Sequence, residues 1–362
     1  MKRILAVFVL SVLYYNIIAQ ENFVFTKIKE NPITSIKNQN RSSTCWSFST
    51  LGLLESELLR IGKGEYDLSE MFVVHHTMVD RAEHYVRLHG SSSFSPGGVF
   101  YDVLYCLKHY GLVPQEAMPG IMYGDTLPVH TELDAVASAY VNAIAKGSLK
   151  KLTPVWKQGV CAIYDTYLGK YPEKFVYKGN EYTPVTFAQS LRLNPDDYVS
   201  LTSYTHHPYY SKFAIEIQDN WRNGESWNLS IDELMTVIDN ATETGFTVAW
   251  ASDVSEGGFT RNGTAVVSDT DNKHDIEKEI TQEMRQTAFD NWESTDDHGM
   301  LIYGIAEDQT GKKYYMAKNS WGTKSKYDGT WYVSKAFVKY KTINILVHKD
   351  GIPKNIAKKL NL

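Results

Sequence analysis

The sequence predicts an α+β fold with a cleft between a helical first third and a β-rich last third. Two patterns carry that expectation. Apolar residues recur at helical spacing up to Gly111, and short runs rich in β-branched and aromatic residues dominate from Thr247 onward. Composition agrees: 43% hydrophobic and 22% charged residues over 362 positions suffice for a sizeable core and argue against wholesale disorder.

The elements follow in order. Lys2 and Arg3 precede an apolar run from Ile4 to Val12 that continues to Ala19, the pattern of a secretory signal peptide over residues 1–19. Interrupted by Asn16, that run would span a bilayer poorly, so the expectation is an exported chain, periplasmic or secreted, comprising residues 20–362 with no membrane anchoring after signal removal. Asn38 to Ser43 is polar and turn-like. From Cys45 a helix is expected, with Phe48, Leu51, Leu54, Leu58 and Leu59 at helical spacing and Gly62 as its end. Leu68 to Leu88 suggests a second helix. Pro96-Gly97-Gly98 breaks the chain before a third, Val99 to Tyr110. The middle mixes Pro, Tyr and helical stretches such as Val155 to Leu168. Strands are expected at Thr247–Ala251, Met300–Ala306, Tyr314–Lys318, Gly329–Val333 and Thr342–Val347, forming a compact antiparallel sheet. The chain thus divides into a helical lobe of about 30–113, an inserted middle segment of about 114–227, a β lobe of about 228–348 and a C-terminal tail, 349–362.

Several function classes are disfavoured. A net charge of −5 without a basic stripe argues against nucleic acid as a partner. Three cysteines do not make a disulfide scaffold, and the odd count leaves at least one free thiol that needs an explanation. Cys106 and Cys161 lie in apolar helical contexts that suit core packing. His75-His76 and His206-His207 suggest a metal, but neighbouring positions point different ways on a helix or strand and no thiolate or carboxylate cluster has ligand spacing. No metal and no cofactor are expected.

Cys45 is different. A cysteine at the first turn of a helix meets unpaired N–H groups and the positive end of the helix dipole, which favour the nucleophilic thiolate and a lowered pKa. Gln39 stands six residues earlier, where its side chain and the Cys45 N–H could donate to an oxyanion. Far along the chain, Asp297-His298-Gly299 opens a strand and Asn319-Ser320-Trp321-Gly322 ends another. His298 suits a base that later protonates a leaving amine, and Asn319 suits a group that orients its ring. Trp321 would shield that bond from water. Asp297 reads as a loop or lobe-bridging residue.

Gln39…Cys45-Trp46, Pro96-Gly97-Gly98, Asp297-His298 and Asn319-Ser320-Trp321-Gly322 together resemble, in order, the landmarks of papain-like cysteine peptidases. Asp67-Leu68-Ser69-Glu70, Tyr110-Gly111-Leu112-Val113-Pro114, Thr205-His206-His207-Pro208, Asp219-Asn220-Trp221 and Asp232-Glu233-Leu234-Met235 narrow the resemblance to the bleomycin hydrolase / aminopeptidase C branch. It implies a papain-like two-lobed fold and peptide substrates, with Cys45, His298, Asn319 and Gln39 as catalytic residues. Gly97, Gly98 and Trp321 would bind substrate, the glycines giving room for an extended strand. Homo-oligomerisation stays open. The resemblance further implies an aminopeptidase whose own C-terminus lies in the cleft, a part that the tail after Val347 would play. A thiol amidase acting on non-peptide amides and a non-catalytic peptide-binding homologue are the alternatives.

Overall fold

The computed structural model describes residues 23–147, 151–267 and 277–362. The signal-like stretch 1–19 lies outside them. The chain enters through β1 (Phe25–Glu30) and reaches α1 (Cys45–Arg60), α2 (Glu70–Arg87) and α3 (Phe100–His109), each within two residues of its expected start. Their starts differ in chemistry. At α2, Ser69 accepts a hydrogen bond from the Phe72 N–H, worth about 1 kcal/mol. Thr44, ahead of α1, makes no such cap, because its hydroxyl pairs with Ser42 at 2.5 Å. The first-turn N–H groups at Cys45 therefore have no capping side chain.

The middle segment holds α4 (Thr131–Lys146), α5 (Val155–Leu168), a small hairpin of β2 (Phe175–Tyr177) and β3 (Asn180–Tyr182), and α6 (Pro184–Leu191). Beyond them come β4 (Tyr198–Thr202), β5 (Lys212–Ala214) and β6 (Glu225–Asn228). This segment does not stand apart. Leu133, Ala137, Val141, Val160 and Tyr164 join the core of α1–α3, and β4–β6 lengthen the main sheet.

The remainder comprises α7 (Ile231–Glu243), β7 (Val248–Ser252), β8 (Phe259–Thr260), β9 (Thr264–Ala265), α8 (Gln282–Asp290), β10 (His298–Asp308), β11 (Lys313–Lys318), β12 (Thr330–Ser334), α9 (Lys335–Lys341), β13 (Thr342–His348) and α10 (Lys354–Lys359). The 11-stranded sheet runs β5-β6-β4-β13-β7-β10-β11-β12-β9-β8, with β1 also paired to β10. It is larger than expected, and β4–β6 and β9–β12 pair in parallel within an otherwise antiparallel ladder. Strand alternation gives the sheet two buried faces. Ala249, Ala251 and Leu301 face the core under α1, whereas Val248, Trp250, Met300 and Ile302 face α7, α9 and α10.

That second face corrects the expectation for the tail. Residues 349–362 do not enter a cleft. Ile352, Ile356 and Leu360 are buried with Leu234, Val237 and Ile238 of α7. Asn240 donates to the Gly351 carbonyl at 2.8 Å, and Lys359 pairs with Glu233 at 2.6 Å. The tail thus covers the side of the sheet opposite the Cys45 helix. No helix among the described residues is long and apolar enough to cross a membrane.

Candidate active site

Where α1 meets β10, a cleft of about 420 Å³ is lined by Gln39, Cys45, Gly97, Gly98, His298 and Trp321, with Asp219, Asp296 and Asp297 among the others. Cys45 and His298, 253 positions apart in the sequence, are brought to one cleft by a close packing contact. A side chain at Gly299 would meet Ser49 Oγ at 2.7 Å and the Cys45 carbonyl at 3.3 Å, so glycine lets the helix end press onto the strand that starts with His298.

His298 is 4% exposed and Asn319 is 1% exposed. His298 Nε2 and Asn319 Oδ1 lie 2.7 Å apart. Asn319 Oδ1 also accepts the Ser320 N–H at 2.7 Å, which identifies that atom as an acceptor and puts the imidazole proton on Nε2. His298 Nδ1 is thereby left unprotonated. Trp321 stacks on the ring at 4.7 Å with 28° between planes, covering the His298–Asn319 bond.

Gln39 is held from both ends. Its N–H donates to the Ser320 carbonyl at 2.8 Å, and the Ser320 hydroxyl donates to Gln39 Oε1 at 2.7 Å. The Gln39 side-chain nitrogen has no acceptor among the described residues and can donate into the cleft. Ser320 was quoted in the sequence only as part of a motif; its neighbourhood to Asn319 was the available signal. Gly97 and Gly98 line the cleft at positions that tolerate no side chain. A Cβ at Gly98 would lie 2.8 Å from the Trp46 ring, and one at Gly97 only 1.9 Å from Asp219 Oδ2.

The electrostatics differ from the expected lowered thiol. Burial pushes the Cys45 thiol up to about 12, the N–H groups of Gly299 and Trp46 pull it back, and the charges of Asp296 and Asp219 push it further up. Burial pushes the His298 imidazole down to about 4, while its bond to Asn319 opposes this. A lone charge on either group is penalised by burial. Asp297 accepts from Thr295 Oγ1 at 2.8 Å and from the Val254 and Ser255 N–H groups, and burial and the neighbouring Asp253 hold its carboxyl above the usual carboxylate range. It ties the start of β10 to the loop after β7.

All three cysteines are free. The histidine pairs do not point apart as expected at both places. His206 and His207 sit in a turn and converge on Glu216, at 3.1 and 2.9 Å. Gln286 donates to His206 Nδ1 at 3.0 Å while its carbonyl accepts the Thr205 N–H, so His206 Nε2 carries a proton and offers a cation no lone pair. His75 pairs with Asp165 at 2.9 Å, and His76 stacks between Tyr110 and Tyr171.

Comparison with known proteins agrees with this geometry. Residues 20–116 match the papain family of cysteine proteases. Cysteine proteinase 1, mitochondrial, of Saccharomyces cerevisiae (strain JAY291) is 23% identical, covering 94% of this chain and 80% of its own. Aminopeptidase G of Lactobacillus delbrueckii subsp. lactis is 23% identical over 90% of this chain and 83% of its own. The crystal structure of PepW from Lactobacillus rhamnosis HN001 superposes with a TM-score of 0.73 at 21% identity, covering 93% of this chain and 84% of that one. With residues 83–362 matching it, the chain belongs to the Peptidase C1-like family.

Proposed function

We propose that this chain is an exported aminopeptidase that hydrolyses peptide bonds with Cys45 as nucleophile, His298 as base and Asn319 as the residue that orients the base. The observation that carries the reading is the doubly accepting Asn319 Oδ1, which fixes the imidazole tautomer in the same cleft as a cysteine at an uncapped helix start. The Cys45 proton passes from Sγ to His298 Nδ1 as Sγ bonds to the substrate carbonyl carbon. Each charge then offsets the other's desolvation, which neither group could bear alone. The Cys45 N–H and Gln39 Nε2 stabilise the oxyanion. Nδ1 returns the proton to the leaving amine, and water, activated by the same nitrogen, releases the acyl group.

Relatives named aminopeptidase G, E and C support the exopeptidase reading. Incubation with free-amine and N-acetylated fluorogenic peptides tests it. Thiol-sensitive cleavage of the free-amine peptide is expected; cleavage that survives alkylation of Cys45 would overturn the mechanism. Export rests on the charged and apolar pattern of residues 1–19. Amino-terminal sequencing of the protein recovered outside the cytoplasm is expected to start near Gln20, and a start at Met1 would overturn it.

A further inference from the structure

An enzyme that trims peptides from the amino end needs a counter-charge for the substrate's ammonium group. The tail, the expected source, lies across the sheet from the cleft. The cleft wall offers another. Three carboxylates line it, and Asp297 is already engaged by the loop after β7. Asp219 Oδ1 accepts from Arg81 at 3.1 Å and Ser95 at 2.9 Å, which leaves Oδ2 free against the backbone of Gly97. Asp296, two places ahead of His298, makes no hydrogen bond or ion pair with any described residue. The two carboxylates feel one another's charge, and Cys45 feels both.

Resting on the aminopeptidase reading, we propose that Asp219 and Asp296 form a receptor for a primary ammonium group beside Cys45, and that its occupant is the α-ammonium of a peptide's first residue. A carboxylate set into a wall without a counter-ion is costly, and a ligand cation removes that cost. Burial first, then Asp219 and Asp297, push the Asp296 carboxyl up to about 7, as expected for a group short of positive charge. An ammonium group in the gap donates to both carboxylates through charge-assisted hydrogen bonds. An acetylated amino end carries no positive charge, and it leaves Asp296 without a counter-ion and Asp219 Oδ2 without a donor. Gly97 has its own part in this: any side chain there would occupy the space in front of Asp219 Oδ2.

The same chemistry could be met by a lysine side chain one residue further along a blocked peptide, so the test carries three substrates: leucyl-, acetyl-leucyl- and acetyl-lysyl-leucyl-coumarylamide. In Asp296→Asn, the ratio of kcat/KM for the free-amine over the acetylated leucyl substrate is expected to fall about 10- to 100-fold, mainly through KM, the scale of one charged hydrogen bond. Asp219→Asn is expected to shift the same ratio in the same direction, and it serves as the second variant should the first fail to fold. If the wild type instead favours acetyl-lysyl-leucyl and the variants lose that preference, the aminopeptidase reading and the α-ammonium assignment both fall while the ammonium receptor stands. Ratios unchanged in both folded variants overturn the receptor, whether or not the enzyme proves to be an aminopeptidase.

Discussion

The wall of the cleft that carries Cys45 is the end of a helix, whereas the wall that carries His298 and Asn319 is the rim of a sheet. The helix end contributes open N–H donors, and it has them because Thr44 spends its hydroxyl on Ser42 rather than on a cap. The sheet rim contributes direction. His298 pairs with Ser252 at the start of β10, and Asn319 follows Lys318, the last residue of β11, so the ladder fixes where both side chains point. Donors are cheap at a helix terminus and costly to leave open at a strand, whereas orientation is the reverse. The site draws each property from the element that supplies it.

The sharpest tests of that division change turnover most. Cys45→Ala is expected to lower kcat/KM by about 10⁴-fold or more with the thermal transition nearly unchanged, and His298→Ala by a similar factor. Asn319→Ala should retain measurable turnover, since in the proposed mechanism that residue orients without transferring a proton. Losses in Asn319→Ala as deep as in His298→Ala would break the distinction between acting and aiming. Next comes the donor on the helix wall. Gln39→Ala is expected to lower kcat by about 10²-fold, the scale of one oxyanion donor, and Ser320→Ala by less than that because it only steadies Gln39.

Stability sets the two regions apart as well. Under α1 the Glu55 carboxylate is buried and accepts from Lys37 at 3.0 Å, Thr34 at 2.5 Å and the Leu68 N–H at 2.9 Å. Glu55→Ala leaves Thr34 and the Leu68 N–H without their buried acceptor and Lys37 with Glu70 and Asp67 alone, and is expected to cost about 3–5 kcal/mol by urea denaturation, against less than about 1 kcal/mol for Asp67→Ala at the exposed end of the same cluster. Deleting Lys354–Leu362 removes buried Ile356 and Leu360 from the far face of the sheet. That truncation is expected to cost about 3–5 kcal/mol and to leave the free-amine preference intact; a change in preference would return the tail to the cleft.

The smallest effect is a slope with pH. Burial pushes His298 and His130 down to about 4 and His76 to about 3, against about 6.5 in the unfolded chain. The unfolded state therefore binds more protons between those values, so stability is full above pH 6.5 and declines as pH falls through 6.5 towards 4. Urea midpoints should follow that decline, and His76→Phe, between Tyr110 and Tyr171, should flatten it. An unchanged slope in that variant would assign the decline to the other histidines.

The walls were legible in the sequence for unequal reasons. Cys45, His298 and Asn319 were singled out because their chemistry admits few residue types and their flanks form dispersed motifs, and the fold sets His298 on Asn319 in the cleft that holds Cys45. Strands β7 and β10–β13 were found because β-branched and aromatic runs between turn formers have few other readings. The tail was placed in the cleft by the resemblance, although Ile352, Ile356 and Leu360 recur every fourth residue, the mark of one buried helical face. Helix α7 was not expected, although Ser230 and Glu233 form a reciprocal cap ahead of Leu234, Val237 and Ile238. Strand β4 was hidden only by the company it keeps, a short run inside a helical segment whose partner β13 lies more than a hundred residues away. Asp296 carried no signal at all, since an aspartate near a histidine gains meaning only when the space around it is known.

The bonds from Gln39 to Ser320 have a bearing on motion. Together with the Gly322 N–H on the Lys37 carbonyl at 3.0 Å, they rivet helix wall to sheet wall at one end of the cleft. Two plates riveted along one edge cannot swing apart there; they can only splay at the other. Opening of the cleft is therefore expected at the rim bounded by Gly97, Asp219 and Asp296 rather than at Gln39. Amide hydrogen exchange would register this as slow exchange at Gln39 and Gly322 beside faster exchange across the loop from Ser95 to Gly98.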